Sequence, residues 1–144
     1  MTARRTIKGL GEIALQVADL DEMSRFYEEI VNLELMRRFP HSTFFRVADG
    51  VEGHTQILAL FDRSAGDGAL SYMPARRTPP LDHLAFAIAL EDLGSERDRL
   101  VGLGCDVSEA VHDWVGWRSL YVQDPEGNQV EWVCYDAAIL DAGS

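Results

Sequence analysis

The chain has 144 residues, 47% of them apolar, and carries 24 acidic against 13 basic side chains for a formal net charge of −11. That length suits one domain, or two half-domains sharing a core. The acidity argues against a nucleic-acid partner, since phosphate binding calls for a basic surface. No apolar run approaches membrane-spanning length. The basic stretch Met1–Lys8 is followed by no apolar signal core, and Cys105 and Cys134 lack metal-type spacing. The expectation is a soluble, cytoplasmic protein with no membrane and no nucleic-acid partner.

In chain order, Gly11–Val17 (GEIALQV) alternates large apolar with small or polar residues, the period of a strand with one buried face. Asp19 and Glu22 form a D-x-x-E helix start, and Met23, Phe26, Tyr27 and Ile30 then recur at helical spacing as one core stripe. Leu33–Phe39, Thr43–Val47 and Thr55–Phe61 read as strands, with a turn at Asp49-Gly50. Residues 1–61 are thus a first β-α-β-β-β module. Asp62–Pro80 is rich in Gly, Ala, Arg, Ser and Pro, ends in Pro79-Pro80, and is read as an inter-module linker over 62–80.

Residues 81–136 repeat the plan as a second module. Asp82–Ile88 (DHLAFAI) is a strand, and Leu93, Leu100, Val101 and Leu103 mark a helix from about Leu90 to Leu103 that Gly104 ends. Asp106–Val111 reads as a strand. Trp117–Gln123 and Gln129–Tyr135 are strands joined by Asp124-Pro125-Glu126-Gly127-Asn128, whose Pro and Gly suit a tight turn. The chain from Asp136 on, with residues 137–144 as the tail proper, has little to anchor it.

The two modules carry the same signal 71 residues apart, with Glu12 aligned on His83 and Ala14 on Ala85. Each first strand therefore opens with a possible metal ligand and continues with a small residue that leaves space above the sheet. If Asp124 faces Asn128 across the hairpin, Tyr121 lies opposite Glu131 and Ser119 opposite Val133. Leu120, Val122, Val130 and Trp132 then fill the core face. His83 and Glu131 become a candidate pair, with Glu12 as a third. One imidazole with carboxylates suits Mn, Fe, Zn, Co or Ni, and three protein ligands leave room for substrate or water. Taken alone, a strand His is usually structural and a strand Glu usually solvated; it is the repeat-equivalent placement that favours a metal. Around the hairpin, His112, Trp114, Trp117 and Arg118 are candidates for substrate contact, the tryptophans for a flat or apolar group. Arg37, Arg38 and Arg46 are weaker candidates for clamping a carboxylate or phosphate. His41 and His54 are not taken as ligands.

Through VADLDEMSRFYEEIVNLEL, LDHLAFAI and WRSLYVQDPEGNQVEW, covering roughly Leu10 to Tyr135, the chain resembles the vicinal oxygen chelate superfamily. That group includes glyoxalase I, extradiol dioxygenases, fosfomycin-modifying enzymes, methylmalonyl-CoA epimerase and bleomycin-resistance proteins. The resemblance implies an α+β fold of two tandem βαβββ modules in a curved, half-barrel mixed sheet around a metal. Its ligands come from the first and last strands of each module, here Glu12, a residue near Ala59, His83 and Glu131. Aligning ILALF with QVEWV sets Ala59 against Glu131, so the fourth ligand is missing, and Gln56 replaces it only through a bulge. Glu12 stands where many members, the dioxygenases among them, have histidine. A His-Glu-Glu set is hard enough to favour Mn or Fe.

The resemblance also implies that Ser119 and Tyr121 contact substrate and that the chain forms a homodimer. The activity it implies is a metal-dependent lyase, isomerase or related enzyme. Such an enzyme chelates a small substrate through neighbouring oxygens, with Glu12 or Glu131 doubling as the base. The alternative is a metal-free small-molecule or antibiotic binding protein of the bleomycin-resistance kind. Ala59 and Glu12 favour that alternative, and the presence of both His83 and Glu131 opposes it.

Overall fold

The structure is a computed structural model that describes residues 8–50, 54–65, 81 and 83–140. The chain divides into two compact units, 1–73 and 74–144. Unit 1 contains β1 (Glu12–Val17), α1 (Leu20–Arg25), β2 (Glu34–Phe39), β3 (Ser42–Ala48) and β4 (Gln56–Asp62). Unit 2 contains β5 (His83–Ala87), α2 (Leu93–Gly102), β6 (Ser108–His112), β7 (Trp117–Gln123) and β8 (Gln129–Tyr135). The fold is α+β, as expected, with the βαβββ order in each unit. Each unit holds an open four-stranded mixed sheet, ordered β1-β4-β3-β2 in one and β5-β8-β7-β6 in the other. In both, the first strand pairs parallel with the last and the remaining pairs are antiparallel. A parallel pair needs a long crossover, which the helix and the two middle strands provide.

In unit 1 the helix side of the sheet buries Val17, Phe45, Leu58 and Leu60 with Met23, Phe26 and Tyr27 of the helix. Tyr27 tilts against Phe45 with ring centroids 6.5 Å apart. Ser24 and Thr43 satisfy each other in this core through a hydroxyl–hydroxyl bond of 2.7 Å. The helix starts as the sequence predicts, with Asp19 Oδ1 accepting from the Glu22 amide at 3.0 Å. Its final turn differs. After Arg25 the bonding widens to a π-helical turn over Phe26–Ile30, and the chain leaves through Asn32 at φ +69°.

In unit 2 the matching face buries Leu84, Leu93, Leu100, Leu120, Val122, Val130 and Trp132. A 3-10 turn at Leu90–Asp92 precedes α2, so the expected single helix is two pieces, ended at Gly104 with φ +86°. The strand expected at Asp106–Val111 starts later, at Ser108. The β7–β8 hairpin has the predicted register, with Tyr121 against Glu131 and Ser119 against Val133. Buried Asp124 caps it by accepting from the Glu126 and Asn128 amides at 3.0 and 2.9 Å, and Gly127 supplies φ +87°.

The loosely held C-terminal segment needs correction at its start. Asp136 accepts from Arg118 Nε at 2.8 Å and from the Ala138 amide at 3.0 Å, and a 3-10 turn follows at Ala137–Ile139. The Asp136 amide also donates to the Gly116 carbonyl at 2.7 Å. A Cβ on Gly116 would meet the Tyr135 ring at 2.9 Å, and φ there is +75°, so only glycine fits this closure. Of the expected linker, Asp62 ends β4 and Arg63–Ala65 form a short helical turn; 66–80 lie outside the described residues. So do 1–7, 51–53, Asp82 and the last residues of the expected tail, 141–144. No helix among the described residues is long and apolar enough to cross a membrane.

Candidate functional site

The side chains with chemical potential gather on the sheet face of unit 2 that turns away from the apolar core. Parallel pairing sets His83 beside Gln129 and Ala85 beside Glu131. The imidazole leans two residues along the neighbouring strand, and its Nε2 comes within 3.2 Å of Glu131 Oε1. Ala85, the sheet partner of Glu131, has only a methyl group and so leaves this diagonal approach unobstructed. The other carboxylate oxygen, Oε2, accepts from Ser119 Oγ at 2.6 Å and from the Tyr121 hydroxyl at 3.3 Å. Glu131 is 6% exposed and Ser119 2%, whereas the His83 side chain is 41% exposed. The carboxylate is therefore held at Oε2 by two hydroxyls and met at Oε1 by the more exposed His83.

Tyr121 extends this chain of contacts. Its hydroxyl lies 3.1 Å from His112 Nε2. His112 pairs with Trp117 and Tyr121 with Ser108 in the sheet, so the two side chains reach towards each other across the small pair Ala110 and Ser119. Burial raises the Tyr121 phenol above its ordinary value of 10.0, with the Glu131 charge adding to the rise against an opposing contribution from Ser119. The phenol is thus a neutral donor throughout the physiological range. Burial likewise raises the thiols of Cys105 and Cys134.

The remaining expected residues are placed differently. Trp117 is exposed on the Ser119–Tyr121 face, and Trp114 is exposed in the turn before it. Arg118 alternates to the other face of β7 and is committed to Asp136. Glu12 opens β1 of unit 1 and is exposed. Ala59 pairs with Ala14, as Glu131 pairs with Ala85, so the register agrees with the alignment that leaves unit 1 without a carboxylate there. The irregularity beside Gln56 falls in β3, between Arg46 and Ala48, and Gln56 stays in unbroken sequence with Ile57 on β4. Among the described residues, no three His, Cys, Asp or Glu side chains converge in a way that could hold a metal ion.

A family model described as the Glyoxalase/Bleomycin resistance protein/Dioxygenase superfamily matches residues 9–132. The chain belongs to this superfamily. Among solved structures of similar fold is a lactoylglutathione lyase from Agrobacterium tumefaciens. It is 27% identical with a TM-score of 0.69, the match covering 90% of this chain and 96% of that one. A glyoxalase/bleomycin resistance protein/dioxygenase from Nocardioides is 23% identical with a TM-score of 0.65, over 100% and 89% of the two chains. A genomically encoded fosfomycin resistance protein from Listeria monocytogenes is 22% identical with a TM-score of 0.62, over 93% and 98%. No curated protein sequence matches the chain.

Members of the superfamily generally use divalent metals, and the donor pair of unit 2 can be tested for fit. Two ligands each about 2.1 Å from one ion, at octahedral to tetrahedral angles, stand about 3.0–3.4 Å apart. The His83–Glu131 separation of 3.2 Å falls in that interval. Ser119 and Tyr121 bind the oxygen that faces away from His83, which is the role of hydrogen-bond partners behind a ligating carboxylate. The same separation is also that of an ordinary imidazole–carboxylate hydrogen bond, so the pair is compatible with two positions of a metal site without requiring one.

Proposed function

We propose that the chain is a metal-dependent enzyme that acts on a small substrate through two neighbouring oxygens, with His83 and Glu131 as two metal ligands. The observation that carries this reading is the 3.2 Å approach of His83 Nε2 to Glu131 Oε1 over a carboxylate fixed from behind by Ser119. Glu12 is taken as the third ligand on its sequence position alone, as the counterpart of His83. This His-Glu-Glu set favours a hard ion such as Mn or Fe, with Zn, Co and Ni as alternatives.

A bound divalent ion supplies Lewis acidity towards negative charge developing on substrate oxygens. The chain's own residues do the rest. Ser119 and Tyr121 hold Glu131 in one rotamer, so that Oε1 faces His83. To serve as the base, Glu131 would give up ligation at Oε1 and accept the substrate proton there, returning it afterwards, which is the requirement of lyase and isomerase chemistry. His112 keeps the Tyr121 hydroxyl in line, and Trp117 offers an exposed flat surface beside the site. Arg118 acts indirectly, by tying the end of β8 to β7 through Asp136. The reading takes the protein as a cytoplasmic homodimer with a small-molecule substrate.

A second reading, a metal-free binding protein of the bleomycin-resistance kind, is favoured by one observation. Both Glu131 oxygens already have protein partners. Elemental analysis of protein purified without chelator or nickel affinity separates the two, run beside His83→Ala and Glu131→Ala. The enzyme reading expects near-stoichiometric Mn, Fe, Zn, Co or Ni in the wild type, lost in both variants. A chain that stays metal-free after incubation with each ion belongs to the binding class.

A further inference from the structure

On the site face of unit 2 the residue types change in order along the strands, in rows set by the sheet register. His83, Gln129 and Gln123 form a polar row, and Ala85, Glu131, Tyr121 and Ser108 form the row that carries the carboxylate. Ala87, Val133, Ser119 and Ala110 follow as a row of short side chains. Beyond them Trp117 and Tyr135 face each other, with His112 alongside.

This last row is aromatic and open. Trp117 is 45% exposed and Tyr135 is 56% exposed. They are direct cross-strand partners, a placement that lets two rings interact, yet no ring contact joins them among the described residues. The Tyr135 ring lies against Gly116 instead, where a Cβ would come within 2.9 Å of it. Neither ring is therefore covered by the other. The way to Glu131 is open on one side. His112 reaches back across Ala110 and Ser119 to the Tyr121 hydroxyl, and Ser119 is 2% exposed beneath. On the β5 side the same row presents only exposed Ala87 and half-buried Val133, with exposed Ala85 one row nearer His83. Tyr135 stands four residues past Glu131 on β8, about 13 Å along the strand.

We propose that the substrate of the His83–Glu131 site carries an aryl group on a short apolar linker. Trp117 and Tyr135 hold the aryl group while the linker lies over Ala87 and Val133. The placement of the substrate's oxygens rests on the metal-enzyme reading above; the aryl subsite rests on the arrangement of β5, β7 and β8. Indole and phenol surfaces favour a flat ring through stacked or edge contacts beyond simple burial. In a chain of net charge −11, an uncharged tail also escapes the repulsion that an anionic one meets.

The test is ligand-observed NMR titration of the full chain, which reads affinities into the millimolar range. The probes are pentanohydroxamate, a two-oxygen chelator without a ring, and its 5-phenyl and 5-cyclohexyl derivatives, each with Mn and with EDTA. The phenyl group should raise affinity about tenfold over pentanohydroxamate in both conditions, and the cyclohexyl group by less. Trp117→Val and Tyr135→Val keep strand-forming residues. Each should shrink the phenyl gain and leave pentanohydroxamate binding unchanged. A phenyl gain no larger than the cyclohexyl gain, or one that both variants retain, would overturn the proposal. So would conversion of a dimer to monomer by Trp117→Val in sedimentation, because the aromatic row would then belong to a second copy of the chain. If Mn strengthens none of the probes while the phenyl gain persists and falls in the variants, the metal reading fails and the aryl subsite stands.

Discussion

The two units share one strand order and one pairing scheme, yet equivalent positions on their sheets carry opposite chemistry. Where unit 2 has Glu131 beneath Tyr121 and Ser119, unit 1 has Ala59 opposite Phe44, with Ser42 in the place of Ser119. The polar set of unit 2 is closed by its own hydrogen bonds, so a carboxylate tolerates 6% exposure there. In unit 1 the same location has no exposure and is apolar, and the face above it is a row of rings. Backbone architecture therefore does not decide which unit can hold a charge. The donors surrounding one position do.

The sharpest way to break this comparison is to move the carboxylate. Ala59→Glu buries a charge beside the Phe44 ring, where unit 2 has the Tyr121 hydroxyl, and should cost about 3–5 kcal/mol in urea unfolding. Adding Phe44→Tyr restores the missing donor and should recover part of that loss. If Ala59→Glu is neutral, the two faces do not differ as described. Next in size, Ser119→Ala removes the 2.6 Å donor to a buried carboxylate. It should cost about 1–3 kcal/mol of stability and, on the proposed metal-enzyme reading, weaken metal affinity about 10–100-fold in a metal-binding assay.

Tyr121→Phe removes a longer contact of 3.3 Å and should cost about 0.5–1.5 kcal/mol. The raised phenol gives this position a pH signature. Folding favours the neutral hydroxyl, so its contribution is intact below 10.0 and is lost as pH rises from there through the folded-state value. Absorbance titration should show one tyrosine ionising late, and Tyr121→Phe should lack it. The smallest effect is expected at Asp136, whose carboxyl Arg118 and the Ala138 amide hold below its ordinary 3.8. That contribution is present above 3.8 and lost as pH falls through the folded value. Asp136→Asn should therefore be less stable than the wild type at neutral pH and converge with it in acid.

Much of the fold was legible because its determinants are local. Alternation in GEIALQV and DHLAFAI marks strands, Asp19 marks a helix start, and the Pro-Glu-Gly sequence after Asp124 sets a turn whose register follows by counting. Counting also brought Tyr121 and Ser119 to the side of Glu131. Where local signals were weak, the expectation missed. The stretch before Ser108 has no alternation to time its strand, and Arg118 and Asp136 are paired over 18 residues that no periodicity connects.

By itself the sequence determined the two-module plan, the hairpin register and the list of ionisable side chains on one face of β7 and β8. Only the tertiary structure decided that Glu131 is buried rather than solvated. It also decided that His83 meets Glu131 across a parallel pair, and that three phenylalanines from separate strands form one row, with Arg37 over the Phe39 ring. The division has a physical reason. Turn type and alternation depend on neighbouring residues, whereas burial and the meeting of side chains from distant strands depend on how the sheet is assembled.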